Sequence, residues 1–241
     1  MLNKLQQIAQ WKNDFRWKPE SPQAEPYIVQ KYIMNPLLIG GKKFDLRIYV
    51  LVTSYRPIKA YLHSGGFARF CTEKYSNDIN EVDNMMIHLT NVAIQKVGDD
   101  YNETHGGKWM IKNLRFYLEQ TRGKEATEKC FEAMKNIIYI SLKAVQSVMI
   151  NDKHCFEVYG YDILIDDNLK PWLIEVNASP SLSTTTEMDR VLKMQVINDA
   201  FNVVVPPDWA EDGSKHGANT CTEKRVGNFT LIIDETPAAT Q

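Results

Sequence analysis

No apolar run in this chain of 241 residues approaches the roughly 18 residues that a bilayer-crossing helix needs. A signal-peptide core is also missing, because Met1-Leu2-Asn3-Lys4-Leu5 reads as the start of an amphipathic helix. Cysteine is scarce. Cys71, Cys130, Cys155 and Cys221 lie far apart, with no CxxC and no zinc-type spacing, which excludes a disulfide framework or a zinc ribbon and fits reduced thiols in the cytosol. An excess of charge of one sign is absent too. The formal net charge of −2 leaves no basic footprint for nucleic acid or for an acidic membrane surface, although a locally basic cleft remains compatible with it. Aromatic residues do not interleave with Lys and Arg as a nucleic-acid platform requires. No internal repeat is visible. No nucleophile stands out either, since His154 and Cys155 are adjacent and would face opposite ways on a strand.

What is present is ordinary globular material, 44% hydrophobic and 24% charged, enough for one large domain or two lobes that share an interface. Leu5, Ile8 and Trp11 stand three apart on a short helix over residues 3–12, and the proline-bearing stretch from Lys18 to Pro26 reads as a loop. Tyr27 to Ile33 carries bulk on both alternating sets, as in a strand covered on both sides. Asn35-Pro36 and Gly40-Gly41 then break the chain. Phe44 to Thr53 is a strong strand, Ile58 to His63 its hairpin partner, and Gly65-Gly66 leads into Phe67 to Phe70. A short strand is expected over Met85 to Asn91. The clearest helix spans Lys124 to Ile150, with Phe131, Met134, Ile138, Leu142, Val145 and Met149 on one face. Strands follow over Phe156 to Ile165 and Pro171 to Asn177, then a helix over Met188 to Phe201. Trp172 and Tyr161 are expected in the core. Beyond Pro206-Pro207 the chain turns polar and small and reads as mostly disordered, Phe229 to Ile233 being a candidate exception. Antiparallel hairpins with separate helices define an α+β fold.

Two constellations carry chemistry. In the hairpin of Tyr161 to Ile165 and Trp172 to Asn177, residues i and i+2 share a face, so Glu175 and Asn177 point together and the turn returns Asp162 beside them. Two carboxylates and an amide oxygen are hard donors that suit Mg²⁺, with water and phosphate filling its other positions. The wet face of an ordinary hairpin is the other use of such residues. On the strongest strand, Lys43, Asp45 and Arg47 alternate onto one face while Phe44, Leu46 and Ile48 take the other. Such a face either forms surface ion pairs or lines a cleft that receives an anion, and Arg69 can add a second guanidinium. Thr90 and Asn91, in His88-Leu89-Thr90-Asn91, fit a ribose or phosphate as well as a turn. Lys108 fits a carboxylate as well as solvent.

Taken together, Tyr27 to Ile33, Lys43-Phe44-Asp45-Leu46-Arg47, Gly66-Phe67-Ala68-Arg69, His88-Leu89-Thr90-Asn91, Tyr159-Gly160-Tyr161-Asp162 and Trp172 to Pro180 resemble, in order, the C-terminal part of a tubulin tyrosine ligase-like protein. The resemblance covers most of residues 1–205 and is closest to the short polyglutamylase members. It implies an ATP-grasp fold, with ATP between two antiparallel sheets. Residues 1–33 would end the central lobe with its hinge strand, 34–205 would form the C-terminal lobe, and 206–241 a largely disordered polar tail. The implied activity is ATP-dependent addition of glutamate to glutamate side chains of the tubulin tail through an acyl phosphate. Its implied cofactors are ATP and Mg²⁺. Its implied partners are tubulin or microtubules, free L-glutamate and subunits of a polyglutamylase complex, on the cytoskeleton of the cytoplasm and at the cilium or basal body.

Residue by residue, the resemblance places Gln30, Lys31, Tyr32 and Ile33 at the adenine edge, and Lys43, Asp45, Thr90 and Asn91 on the nucleotide. It places Arg69, Lys108 and Asn177 on the incoming glutamate, and Asp162, Glu175 and Asn177 on the metal. Arg47 and Glu175 take the catalytic roles, Arg47 by stabilising the charged intermediate. Two cations at Arg69 and Lys108 suit an acidic amino acid. The family's N-terminal lobe and its lysine- and glycine-rich cover for the phosphates have no counterpart before Leu5, and Lys18-Pro19 is not followed by glycines. The expectation is therefore a fragment or short form lacking one wall of the ATP site. A truncated module that binds tubulin or a complex without turnover is the alternative.

Overall fold

The computed structural model describes residues 6–8, 10, 28–98, 106–152, 154–205, 221 and 223–237. A tight turn at Gly40-Gly41, with φ of 60° and 76°, joins the short strand β1 (Leu38–Ile39) to β2 (Lys42–Tyr55). Positive φ at two successive positions is what glycine tolerates without strain. After β3 (Ile58–Phe70) come two single-turn helices, α1 (Met85–His88) and α2 (Val92–Gln95), and then β4 (Lys108–Met110). The long helices α3 (Ile111–Arg122) and α4 (Lys124–Val145) follow. The chain continues through β5 (Glu157–Ile165), β6 (Pro171–Asn177), α5 (Glu187–Val204), β7 (Arg225–Val226) and β8 (Phe229–Asp234). The strands form one antiparallel sheet in the order β6-β5-β2-β3-β8-β7, with β1 also on β2 and β4 also on β3. Mixed helices and an antiparallel sheet give the expected α+β class, consistent with an ATP-grasp-like fold.

Alternation along the central strands decides what each face does. One face presents Leu46, Val50 and Val52 of β2 with Tyr161 and Ile163 of β5. These pack under Leu114 and Leu118 of α3 and Met134, Ile138 and Leu142 of α4, all at most 2% exposed. Their four-residue spacing puts each set on a single helical stripe. Full burial of each such side chain contributes roughly 1.5–3 kcal/mol. The opposite face is divided. Tyr49 and Leu51 of β2, Tyr61 and Phe67 of β3 and Phe229 of β8 are capped by Leu192, Val196, Ala200 and Val203 of α5. The same face of β2 continues into Lys43, Asp45 and Arg47, where the apolar cluster under α5 stops.

Helix ends are set locally. Thr186 caps α5 by accepting from the Asp189 amide at 3.2 Å. Gly123, at φ 86°, separates α3 from α4. The C-terminal hairpin is tied down by Asp199 of α5, which accepts from both the backbone and the side-chain amide of Asn228 at 2.9 Å.

Several expectations need correction. Residues 28–33 form no strand, and Ile28 is 88% exposed, so the predicted two-sided burial is absent there; Tyr27 and most of the helix expected at 3–12 lie outside the described residues. In the stretch Met85 to Asn91 no strand forms: Met85–His88 is a helical turn, started where Asn84 accepts from the Met86 amide, and Leu89 to Asn91 link it to α2. Gly65-Gly66 does not end the hairpin partner, which runs unbroken to Phe70. The helix expected to reach Ile150 ends at Val145, and α3 was not anticipated. Trp172 is 37% exposed, with Lys170 Nζ 3.8 Å from its ring centroid, whereas Tyr161 is core. Within the tail the expected exception at Phe229 to Ile233 holds, and it is longer than expected: residues 225–234 are a folded hairpin added to β3.

Candidate active site

Register lays the charged side chains in two rows on the half of the sheet face that α5 leaves uncapped. In the first row Glu175, Asp162 and Arg47 are successive cross-strand partners on β6, β5 and β2. In the second, Asp45, Arg69 and Lys108 are partners on β2, β3 and β4. The alternative of a wet ion-paired surface does not hold for β2, since Lys43, Asp45 and Arg47 are each at most 9% exposed.

Buried charges need partners, and these have them. Arg47 donates from Nε to Asp162 Oδ1 at 2.6 Å and from Nη2 to Oδ2 at 3.1 Å. Arg69 grips Asp45 through a second paired contact, Nε to Oδ1 at 2.8 Å with Nη2 on Oδ2, and also reaches Asp162 Oδ2 at 2.9 Å. Burial alone would raise the pKa of Asp162, but the two guanidiniums override it and hold the carboxyl below the usual carboxylate range. Glu175, directly opposite Asp162, is exposed and joins no ion pair among the described residues. Asn177 lies between them, with Nδ2 3.2 Å from Glu175 Oε1 and 3.4 Å from Asp162 Oδ2.

The tight spot beside this row is Gly160, the partner of Tyr49 on β2 and of Asn177 on β6. A Cβ there would lie 2.8 Å from Pro180 Cβ and 3.1 Å from Arg47 Cδ, so only glycine lets the Arg47 stem cross β5 beneath the loop that follows Asn177.

A cavity of about 380 Å³ opens over these rows. Gln30, Lys31, Tyr32 and Ile33 line one side; Lys43, Asp45 and Arg69 form the floor; and His88, Leu89, Thr90 and Asn91 form another side. Asp162, Leu164, Ile174 and Glu175 complete it. The segment 30–33 thus reaches the cavity without being a strand. Burial lowers the pKa of Lys43, which donates to the His88 carbonyl at 2.7 Å and to Tyr32 Oη at 3.1 Å.

Three nominated residues do not line the cavity. Arg47 is paired to Asp162, and Asn177 bonds Asp162 and Glu175 without joining the lining. Lys108 turns to Asp189, at 2.9 Å, and to Thr185 Oγ1, at 3.1 Å. Asp189 is shared with Lys193 at 3.1 Å, so one buried carboxylate serves two buried lysines at the start of α5. Burial would raise the Asp189 pKa, and the two ammonium groups instead hold it low. Sequence reasoning missed Asp189. Its signal was the cap pattern Thr186-x-x-Asp189 with Lys193 four residues on, which locates a helix start but not the partner 81 residues away on β4. Among the described residues no group of three or more His, Cys, Asp or Glu side chains is placed to hold a metal.

The antiparallel sheet brings paired carboxylates and cations to one cavity, and the chain belongs to the Tubulin-tyrosine ligase family, whose model matches residues 1–212. Among its relatives is the Probable alpha-tubulin polyglutamylase Ttll1 of Tetrahymena thermophila, 56% identical over 237 residues, covering 98% of this chain and 57% of the relative. The Probable tubulin polyglutamylase TTLL9 of Bos taurus is 48% identical over 222 residues, covering 92% and 46%. The Caenorhabditis elegans protein ttll-9, of the same description, is 47% identical over 233 residues, covering 97% and 52%. The chain spans about half the length of the curated relatives it matches.

Proposed function

We propose that this chain carries the catalytic face of an ATP-dependent ligase that adds L-glutamate to glutamate side chains of tubulin, the activity named for its relatives. The observation that carries the reading is the direct cross-strand pairing of Asp162 with Glu175 at the wall of a cavity floored by Lys43, Asp45 and Arg69.

The cavity's charge supports nucleotide binding. Its lining holds Lys31, Lys43 and Arg69 against Asp45, Asp162 and Glu175, three cations and three anions. A divalent cation on Asp162 and Glu175 would turn that balance positive, as a polyphosphate requires. The donor set fits Mg²⁺: two hard carboxylates on adjacent strands, one exposed to water, with the Asn177 amide close to both once its oxygen rather than its nitrogen faces them. When bound, Mg²⁺ supplies charge neutralisation at phosphate oxygens. The chain's own groups do the rest. Lys43 meets phosphate, Gln30 to Ile33 flank the base, Thr90 and Asn91 meet ribose or phosphate, and Arg69 holds a carboxylate. Arg47, held on Asp162, adds positive charge beneath the reacting oxygens.

In the reaction proposed, the acceptor carboxylate takes the terminal phosphoryl group of ATP and releases ADP. The amine of glutamate then attacks the acyl carbon, phosphate leaves, and an isopeptide bond forms. Preorganised cations are the main resource for both steps, because each concentrates negative charge on oxygen. Domain limits at 33/34 and 205/206, a place on the cytoskeleton at cilium or basal body, and partner subunits belong to the same reading. Among the described residues no helix is long and apolar enough to cross a membrane.

The test is incorporation of labelled L-glutamate into tubulin with Mg²⁺-ATP. Transfer that is lost in Glu175→Gln is the expected result. Transfer that persists in that variant, or no transfer by the protein with or without partner subunits, overturns the reading.

A further inference from the structure

At the edge of the cavity, one directional chain of hydrogen bonds runs through four groups. The imidazole of His88 has Nε2 2.9 Å from the Glu81 carbonyl oxygen. A carbonyl only accepts, so Nε2 carries the proton. In the neutral ring Nδ1 is then an acceptor, and 2.9 Å away it meets the Tyr32 hydroxyl, whose proton it takes. With its proton so directed, Tyr32 Oη turns lone pairs outward and accepts from Lys43 Nζ at 3.1 Å. Lys43 also donates to the backbone carbonyl of the same histidine at 2.7 Å. His88 therefore fixes the lysine twice, through its carbonyl and through Tyr32.

We propose that His88 is a positioning residue for Lys43, acting through Tyr32 to hold the lysine ammonium in the cavity in one orientation. The inference rests on the nucleotide reading for its purpose, and on the hydrogen-bond chain alone for its structure. His88 and Lys43 are 7% and 8% exposed, so neither exchanges these partners for water. Two of the three Lys43 protons are committed to this frame. The third is left for a phosphate oxygen, and Lys43 shares the lining of one cavity with Tyr32 and His88.

The arrangement works with only one protonation state. Among the described residues the groups facing the imidazole are Lys43 of β2, Tyr32 before β1, Tyr75 edge-on at 5.8 Å, and Glu81. A proton added at Nδ1 would aim a second cationic donor at Tyr32 Oη, turn the tyrosine proton away from the imidazole and place a positive charge beside Lys43. Burial, with Lys43 adding to it, lowers the His88 pKa and keeps the neutral form.

The experiment labels histidine and lysine with ¹⁵N and compares the wild type with Tyr32→Phe, which removes only the linking hydroxyl, and with His88→Ala. The expected spectrum shows His88 at neutral pH as the Nε2–H tautomer, and Tyr32→Phe moves both its Nδ1 resonance and that of the Lys43 ammonium. Calorimetric affinity for Mg²⁺-ATP should fall about tenfold in each variant, as for loss of a hydrogen bond to a charged group. It should fall no further in the double variant, since both act through one chain. An Nδ1–H tautomer, an imidazolium at neutral pH, a Lys43 resonance unmoved by Tyr32→Phe, or losses that add would each overturn the proposal. If the wild type binds no Mg²⁺-ATP, the nucleotide reading fails while the two spectra still decide the role of His88. Tyr32→Phe keeps the test valid should His88→Ala fail to fold.

Discussion

Arg47 and Asp162 are bound side by side on adjacent strands, Nε to Oδ1 at 2.6 Å and Nη2 to Oδ2 at 3.1 Å, with both side chains buried. The same carboxylate faces Glu175 on the other side. Asp162 therefore joins a structural ion pair to the proposed metal ligands. The residues around it divide by burial into those whose loss unfolds the protein and those whose loss only silences it.

Arg47→Met belongs to the first group. It leaves Asp162 buried with only Arg69, and the expected cost is about 3 kcal/mol, the lower end of the range for breaking a buried pair. Denaturant melts read it directly. A loss below about 1 kcal/mol would mean that Arg69 alone satisfies the carboxylate.

Glu175→Gln belongs to the second. Its side chain is exposed and outside every ion pair of the described residues, so stability should change by no more than about 0.5 kcal/mol. Mg²⁺-dependent binding of ATP should nevertheless be lost, as calorimetry with and without Mg²⁺ will report. Unaltered Mg²⁺ dependence would move the metal elsewhere.

Gly160→Ala tests the crossing of Arg47. The added methyl would contact Pro180 Cβ at 2.8 Å and Arg47 Cδ at 3.1 Å, and a half-buried proline ring and a buried, paired arginine both resist moving. The expected destabilisation is about 1–3 kcal/mol. The Asp162 titration, now held low by Arg47 and Arg69, should shift upward in ¹³C spectra. An unshifted carboxyl would show that the arginine had kept its place.

Acid sensitivity follows from His63. It is buried 3.6 Å from Asp199, yet burial dominates and lowers its pKa from 6.5, as it does for His88. The unfolded chain takes these protons first, so their contribution to stability is complete above pH 6.5 and declines as pH falls through the folded values. Unfolding free energy should decrease on acidification in that window. The double substitution His63→Gln with His88→Gln should flatten the slope, and an unchanged slope would assign it to other groups.

The sequence made the working face legible because period-two alternation leaves little choice. Lys43, Asp45 and Arg47 could not share a face with Phe44, Leu46 and Ile48, and a two-strand hairpin had to return Asp162 toward Glu175. What stayed hidden depends on partners distant in the chain. Phe229 to Ile233 stood out from the polar tail as a candidate exception, but its partner β3, some 170 positions earlier, did not. Lys108 looked free because Asp189 lies on a helix that sequence does not bring near. Met85 to Asn91 misled for the opposite reason: a local bond from the Met86 amide to Asn84 starts a helical turn over Met85–His88 and outweighs the β-prone composition. Residues 28–33 have strand composition, but the structure assigns them no strand partner.

The split face of β2 also guards the strand against misfolding. A slip of one residue would drive Lys43, Asp45 and Arg47 under α3 and α4 while turning Phe44 and Leu46 toward the cavity. Each misplaced charge would lack its partner, so the wrong alignment costs far more than the lost packing alone. The residues proposed for chemistry thus also serve as the strand's spelling check, and neutralising all three should yield a protein that pairs its strands less faithfully even where it remains compact.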